Sequence, residues 1–375
     1  MLHWLESERD SMLNLLRRFV ECESPSGDKV ALDGLGRMLA EELEATGASV
    51  RFSPAKLHGN HLLAEVAGES SDAYVLVLGH LDTVWGLGTL ESMPFRIEGG
   101  RVHGPGVFDM KAGLVQLVFA LRGLQRFERR PAANVLVLIN SDEEVGSHSS
   151  RDLIEDQARR CRAVLVLEPS LPPDGRVKTF RKGVGVFDLH VKGKAAHAGL
   201  DPRSGVSAIE ELARQIQALH LMTDHERGTT VNVGTVRGGS RVNVVAADAH
   251  AEVDLRVSTI ADAKLMESRI LGLEALVDGT EVIVTGGVDR PPLERSPGVV
   301  SLFETAKAAA RELGFDLGEG SAGGGSDGNI TAALGVPTLD GLGAVGDGAH
   351  ATHEHVILDE MPRRAALLAR LLESI

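Results

Sequence analysis

Five short segments of this 375-residue chain carry side chains able to bind cations or move protons, and three of them follow directly on apolar runs. YVLVLG leads into His80-Leu81-Asp82, NVLVLIN into Asp142-Glu143-Glu144, and AVLVL into Glu168-Pro169. GPGVFDMKAG places Asp109 in a glycine-rich loop that opens a helix, and DGAHATHEHV supplies His350, His353 and His355. Three carboxylates and two imidazoles suit a pair of zinc ions, each roughly tetrahedral with one position left for water. Two such ions about 3.5 to 4 Å apart acidify water and hold attacking and carbonyl oxygens together, which is hydrolytic chemistry. One carboxylate must bridge them, and Asp109 is the natural choice. Glu143 and Glu144 would diverge in a regular strand, so at a strand end Glu144 ligates while Glu143 faces the water as general base. Asp82, two residues past His80, accepts that imidazole's other N–H and orients it. The remaining histidines, His3, His103, His148, His190, His220, His225 and His250, read as surface or structural.

These residues need rigid carriers. The near-continuous apolar runs Tyr74 to Gly79, Asn134 to Ile139 and Ala163 to Leu167 read as strands buried on both faces. Residues 111–127 and 149–160 read as helices between them, and 4–20 and 35–45 as helices before them. The fold class is therefore α/β, a helix-covered, mostly parallel sheet with ligands expected beyond the carboxyl ends of its strands. From about Gly183 the pattern changes. GVGVFDLHV and AHAEVDLRV alternate apolar and polar residues, as strands with one covered face do, and helices over 205–222 and 261–276 supply the cover. A smaller α+β domain over 180–286 is thus inserted in a discontinuous larger domain, 1–179 and 287–375, which resumes with helices over 298–313 and 360–373.

Composition narrows the partners. With 53 acidic against 39 basic residues the net charge is −14, which repels nucleic acid and anionic lipid. The two cysteines, Cys22 and Cys161, are far apart and form no CxxC, so any metal takes nitrogen and oxygen ligands. Neither a secretory leader nor a run of about 20 apolar residues occurs, and a cytoplasmic location with no membrane partner is expected.

The chain resembles the zinc aminoacylase and carboxypeptidase G type of metallopeptidase, clan MH. The matching segments are GHLDTV, GPGVFDMKAG, SDEEVGS, EPS, GKAAHAG, GGSRVNVVA, GGGSDGN and DGLGAVGDGAHATHEHV, in the family's order. The resemblance implies a zinc exopeptidase-like catalytic domain with a lid and dimerisation domain. It assigns one zinc to His80, Asp109 and Glu168 and the other to Asp109, Glu144 and a C-terminal histidine. His350 is favoured over His353 and His355 by its distance from Glu354. Cobalt or manganese are alternative metals. The resemblance also implies a cis peptide at Asp109-Met110. It places His197, in GKAAHAG, where a lid histidine reaches the partner subunit's active site in a homodimer and stabilises the oxyanion. Asn243, Arg256 and Arg290 fall where the glutamate-specific branch holds a substrate carboxylate, and Gly325 and Ser326 line the pocket through backbone groups. Ala246 departs from the family, which commonly has proline there. The implied activity is cleavage of an amide bond to release a C-terminal amino acid, with glutamate the best fit, from a peptide or N-acyl amino acid. The alternatives are an N-acyl amino acid deacylase, a dipeptidase, a succinyl-diamine hydrolase, or a catalytically silent metal-binding relative.

Overall fold

The computed structural model describes residues 1–375, the side chain of Ser71 excepted. They form two compact units. The larger comprises Met1–Phe180, Arg295–Ala322 and Ser326–Ile375, and the smaller comprises Arg181–Glu294 with Gly323–Gly325. The smaller unit extends to Glu294 because, beyond its last strand, Arg181 and Leu293 exchange backbone hydrogen bonds of 3.0 Å in both directions.

In the larger unit the chain lays down β1 (Ser49–Ser53), β2 (His61–Val66), β3 (Ser70–His80), β4 (Ala133–Asn140) and β5 (Ala163–Val166). It builds β6 (Gly183–Lys192), β7 (Thr230–Gly238), β8 (Asp248–Val257) and β9 (Glu281–Arg290) in the smaller unit, then returns for β10 (Thr338–Leu339). The main sheet has the order β1-β2-β4-β3-β5-β10. Strand β3 runs parallel to β4 and β5, and β10 parallel to β5, while β1 and β2 add an antiparallel margin. Val75, Val77, Val135, Val137 and Ile139 enter one core, and Leu76, Leu78, Leu136 and Leu138 enter a second. Both faces are therefore buried, which is why these strands read as unbroken apolar runs. Helices Arg9–Glu21, Ala112–Arg126 and Glu360–Ser374 close the first core, and Arg151–Arg159 and Asp327–Ala333 the second.

Two helix limits differ from the periodicity. The helix expected from Leu35 begins at Lys29, because Asp28 caps it by accepting from the Ala31 N–H at 3.0 Å. The helix expected over 261–276 ends at Leu271, with Gly272 immediately after it.

The smaller unit is a four-stranded antiparallel sheet, β7-β8-β6-β9. Phe187, Leu189, Val191, Ala249, Ala251, Val253 and Leu255 bury one face against helices Ala208–His220 and Ile260–Leu271. The intervening residues point to the other face. Among the described residues no helix is long and apolar enough to cross a membrane.

Helix Ala112–Arg126 lies so close to the end of β5 that a Cβ on Gly113 would meet the Leu167 carbonyl oxygen at 2.5 Å. Alanine would gain about 1 kcal/mol of helix preference, but overpacking against main-chain atoms costs about 1 to 3 kcal/mol. Gly113→Ala is expected to be destabilising on balance, read as a lower urea midpoint for the larger unit.

Candidate metal centre

Parallel strands that end together deliver their next residues to one place. His80 closes β3, Glu168 follows β5, and Asp109 sits in the loop entering helix Ala112–Arg126. His80 Nε2 lies 3.2 Å from Asp109 Oδ1 and 3.6 Å from Glu168 Oε1. On the other side of Asp109, His350 Nε2 lies 3.5 Å from Oδ2 and 3.0 Å from Glu144 Oε2. Two triads, His80–Asp109–Glu168 and Asp109–Glu144–His350, thus share one aspartate. A tetrahedral ion bound at about 2.0 to 2.1 Å separates its ligand atoms by about 3.3 Å, and these four distances scatter around that value. Glu144 Oε1 is buried without a hydrogen-bond partner, an orphaned acceptor that a cation would satisfy. The residues present therefore fit a pair of divalent ions.

Charge on the site points the same way. Burial disfavours a charged His80, yet the carboxylates of Asp109, Asp82 and Glu168 outweigh it and hold the imidazole well above its ordinary pKa. Hydrogen bonds to Asp109 and Glu144 push His350 up to about 10. Burial opposes ionisation of Asp109, but His350 and His80 keep its carboxyl below the usual range. Burial, aided by the Asp109 charge, raises Glu144 despite its bond to His350. Crowded carboxylates of this kind demand positive charge, whether as protons or as metal ions.

The C-terminal cluster resolves into separate places. His350 alone of its three histidines joins the triads, with a left-handed backbone (φ 61°) that is uncommon for a residue with a Cβ. His353 is exposed, and the His355 ring lies 5.3 Å from that of His103. The Asp109–Met110 peptide is cis.

Two fully buried carboxylates hold the loops. Asp82 does more than orient His80. The imidazole's Nδ1 approaches the Asp82 main-chain carbonyl at 2.9 Å, closer than the carboxylate at 3.5 Å. The Asp82 carboxylate instead accepts from the N–H groups of Glu143 and Glu144, each at 3.1 Å, and from the Ser26 hydroxyl at 2.7 Å. It thereby fixes the single 3₁₀ turn, Glu143–Val145, on which both glutamates sit. Glu354 acts likewise on the Asp109 loop. Its oxygens accept from the N–H groups of Gly106, Phe108 and Asp109 at 2.9 to 3.0 Å and from Trp85 Nε1 at 2.8 Å. Burial nonetheless raises its pKa to about 7. Behind the glutamate turn, Asp142 accepts from Ser149 and Ser150, and Asp327 from Asn140 and Ser147. Lys178 Nζ is buried 3.9 Å from Glu168 Oε2. In the sequence Glu354 serves only as a marker and Asp142 stands in the acidic run without a role of its own, while Asp327 and Lys178 carry no signal. A buried acid following DG-rich sequence by a few residues was the available signal for Glu354.

The other candidates separate by unit. Ser326 is fully buried in the larger unit, where its hydroxyl donates to Asp340 and accepts from Gly328, while its N–H donates to Asn329. Those groups cap helix Asp327–Ala333. In the smaller unit the loops of His197 and Asn243 pair, with the Ala198 N–H donating to the Asn243 carbonyl at 3.0 Å. His197 Nδ1 accepts from the N–H groups of Gly199 and Leu200, both at 3.1 Å, so the neutral ring carries its proton on Nε2. Arg256 is engaged by Asp254 at 2.8 Å. Arg290 passes Gly325, where a Cβ would sit 3.0 Å from the arginine Cδ.

Comparison with known proteins adds to this geometry. Residues 76–374 match the family described as peptidase family M20/M25/M40. Carboxypeptidase G2 of Pseudomonas sp. (strain RS-16) is 31% identical over 373 residues, covering 97% of this chain and 89% of that protein. Succinyl-diaminopimelate desuccinylase of Dechloromonas aromatica (strain RCB) is 28% identical over 98% of this chain and 99% of its own length. Among solved structures, aminopeptidase PepT of Bacillus cereus ATCC 10987 superposes with a TM-score of 0.80 at 22% identity, covering 97% of this chain and 98% of that one.

Removing Glu354 should free three backbone donors at once. Glu354→Ala is expected to destabilise the larger unit by about 3 kcal/mol and to loosen metal retention, measured by thermal melting and by metal content after dialysis. The His350 pKa is raised from 6.5 to about 10, so its proton-bound pairing stabilises the metal-stripped protein fully below about pH 6.5. That contribution disappears as pH rises through about 10. Melting curves of chelated wild type and His350→Ala should therefore converge at high pH and differ at neutral pH.

Proposed function

The chain belongs to peptidase family M20/M25/M40, and on that premise we propose that it is a zinc-dependent carboxypeptidase of glutamate carboxypeptidase type, with two ions per chain. The pair of triads sharing Asp109 carries this reading. The likeness to carboxypeptidase G2 along nearly the whole chain supports the substrate class, a peptide or N-acyl amino acid with a free C-terminal carboxylate.

In this reading His80, Asp109 and Glu168 hold one ion, and Asp109, Glu144 and His350 the other. When bound, the two ions acidify a water and polarise the scissile carbonyl. Glu143, buried beside the ligand Glu144 and held by Asp82 through its N–H, takes the attacking water's proton and delivers it to the leaving amine. Asp82 orients His80 and the glutamate turn together. His197 serves a homodimer partner's site, its Nε2–H donating to the oxyanion that develops on the carbonyl. The fixed tautomer of His197 supports that role, since the donor stays on the outward nitrogen without protonation of the ring. Asn243 and Arg290, beside Gly325, bind the substrate carboxylate. Arg256 joins them only by exchanging Asp254 for the substrate. The exposed margin of β7 is the edge through which the dimer forms.

A deacylase is the second reading, supported by the resemblance to the desuccinylase over 98% of the chain. The same ligands serve it, so substrate discriminates. Assaying one zinc-loaded preparation on N-acyl glutamates, succinyl-diamines and dipeptides should give highest kcat/KM on the N-acyl glutamate class. Failure on every substrate would leave a silent metal binder. Glu143→Gln is expected to keep about two zinc ions per chain and lose at least about 1,000-fold in kcat. Near-wild-type turnover would remove Glu143 from the mechanism. His197→Ala should lower kcat about 100-fold or more with little change in KM, and light scattering should report a dimer. An active monomer would exclude a role in trans.

A further inference from the structure

The smaller unit carries a second kind of histidine cluster, made of residues with no part in the proposed mechanism. His190 on β6 and His250 on β8 are direct partners across the antiparallel pair. Their neighbours Leu189, Val191, Ala249 and Ala251 are buried in the helix-covered core, so both imidazoles stand on the opposite face. The rings stack with centroids 4.0 Å apart and planes 12° from parallel. Asp248, two residues before His250 on the same face, lies between them. Its Oδ2 is 2.7 Å from His190 Nε2 and its Oδ1 is 2.9 Å from His250 Nε2. The one cation opposite Asp248 in register, Lys192, is turned to Glu281 at 3.3 Å.

We propose that His190, His250 and Asp248 form a third cation site, which binds a borderline transition ion such as Zn²⁺ on the open face of the smaller unit's sheet. Two imidazoles and one carboxylate are a common zinc donor set that leaves a fourth position to water. Imidazole donors select zinc, copper or nickel over calcium and magnesium, which prefer all-oxygen shells. The three ligand atoms already lie within 4.8 Å of one another. Facing the Asp248 carboxylate, each Nε2 donates its hydrogen; ion binding shifts each ring's proton to Nδ1 and gives the Nε2 lone pair to the ion. Binding requires the two rings to turn out of their stacked arrangement so that both Nε2 lone pairs converge, and the exposed Asp248 side chain to rotate until the N···O separations open to the about 3.3 Å that an ion at about 2.0 Å requires. Strand register fixes the backbone positions of the three residues and needs no loop to close over them, so only side-chain rotations separate the observed arrangement from a ligand set. An ion here would staple β6 to β8, the two central strands of that sheet. The inference is independent of the catalytic reading.

The test is zinc stoichiometry on the full chain, by equilibrium dialysis near neutral pH followed by elemental analysis. Wild type should carry one more ion per chain than the double variant His190→Asn, His250→Asn. It should also melt higher in excess zinc, a shift the double variant lacks while its turnover is unchanged. Asp248→Ala is the second variant, in case the double substitution disturbs the sheet, and it too should lose the extra ion. His350→Ala should retain the extra ion while losing one from the other centre, which separates failure of this site from failure of the catalytic reading. Equal zinc content in wild type, Asp248→Ala and the double variant would overturn the proposal.

Discussion

Mutual repulsion among Asp109, Glu144 and Glu168 is the constraint around which the larger unit is arranged. Three carboxylates brought this close in a largely buried place are unstable together unless positive charge sits among them. The raised pKa values of His80 and His350 are the signature of that demand. Neither histidine is raised by its own surroundings in general, since burial opposes the shift at both. The specific acidic neighbours produce it.

Holding such a cluster in place requires rigid backbone, and the protein uses the same device twice. Asp82 and Glu354 are fully buried acids whose oxygens accept main-chain N–H groups, one beneath the glutamate turn and the other beneath the Asp109 loop. Loops cannot supply their own ladder of hydrogen bonds as strands do, so each irregular segment entering the site borrows its partners from a distant side chain. The strands in turn owe their common end point to parallel register, which aligns β3, β4 and β5 from Val75, Val135 and Ala163 onward.

Much of this was legible in the sequence because two periodicities spoke clearly. Runs such as NVLVLI announce strands covered on both faces, and the polar residues that follow them announce the site. GVGVFDLHV announces a sheet covered on one face, which the smaller unit has. Other features left no local trace. Ser326 follows a glycine run, and its hydroxyl closes a helix cap while donating to Asp340, fourteen residues on. Arg256 has the spacing of a carboxylate binder, but Asp254 two positions earlier on the same strand face already holds it. His190 and His250 are separated by fifty-nine intervening residues and become neighbours only through strand register, and no window on the sequence contains both.

Glu354 has one more consequence, for how the molecule comes into being. The loop bearing Asp109 receives its anchor from a residue 245 positions later, and His350 arrives with the same stretch of chain. During synthesis the strands that carry His80 and Glu168 emerge first, and domains generally organise as they emerge. The acceptor that fixes the shared aspartate is made only near the end. A nascent chain therefore displays the acidic groups before the means to fix their spacing, and the Asp109 loop gains its anchor only once Glu354 has been made.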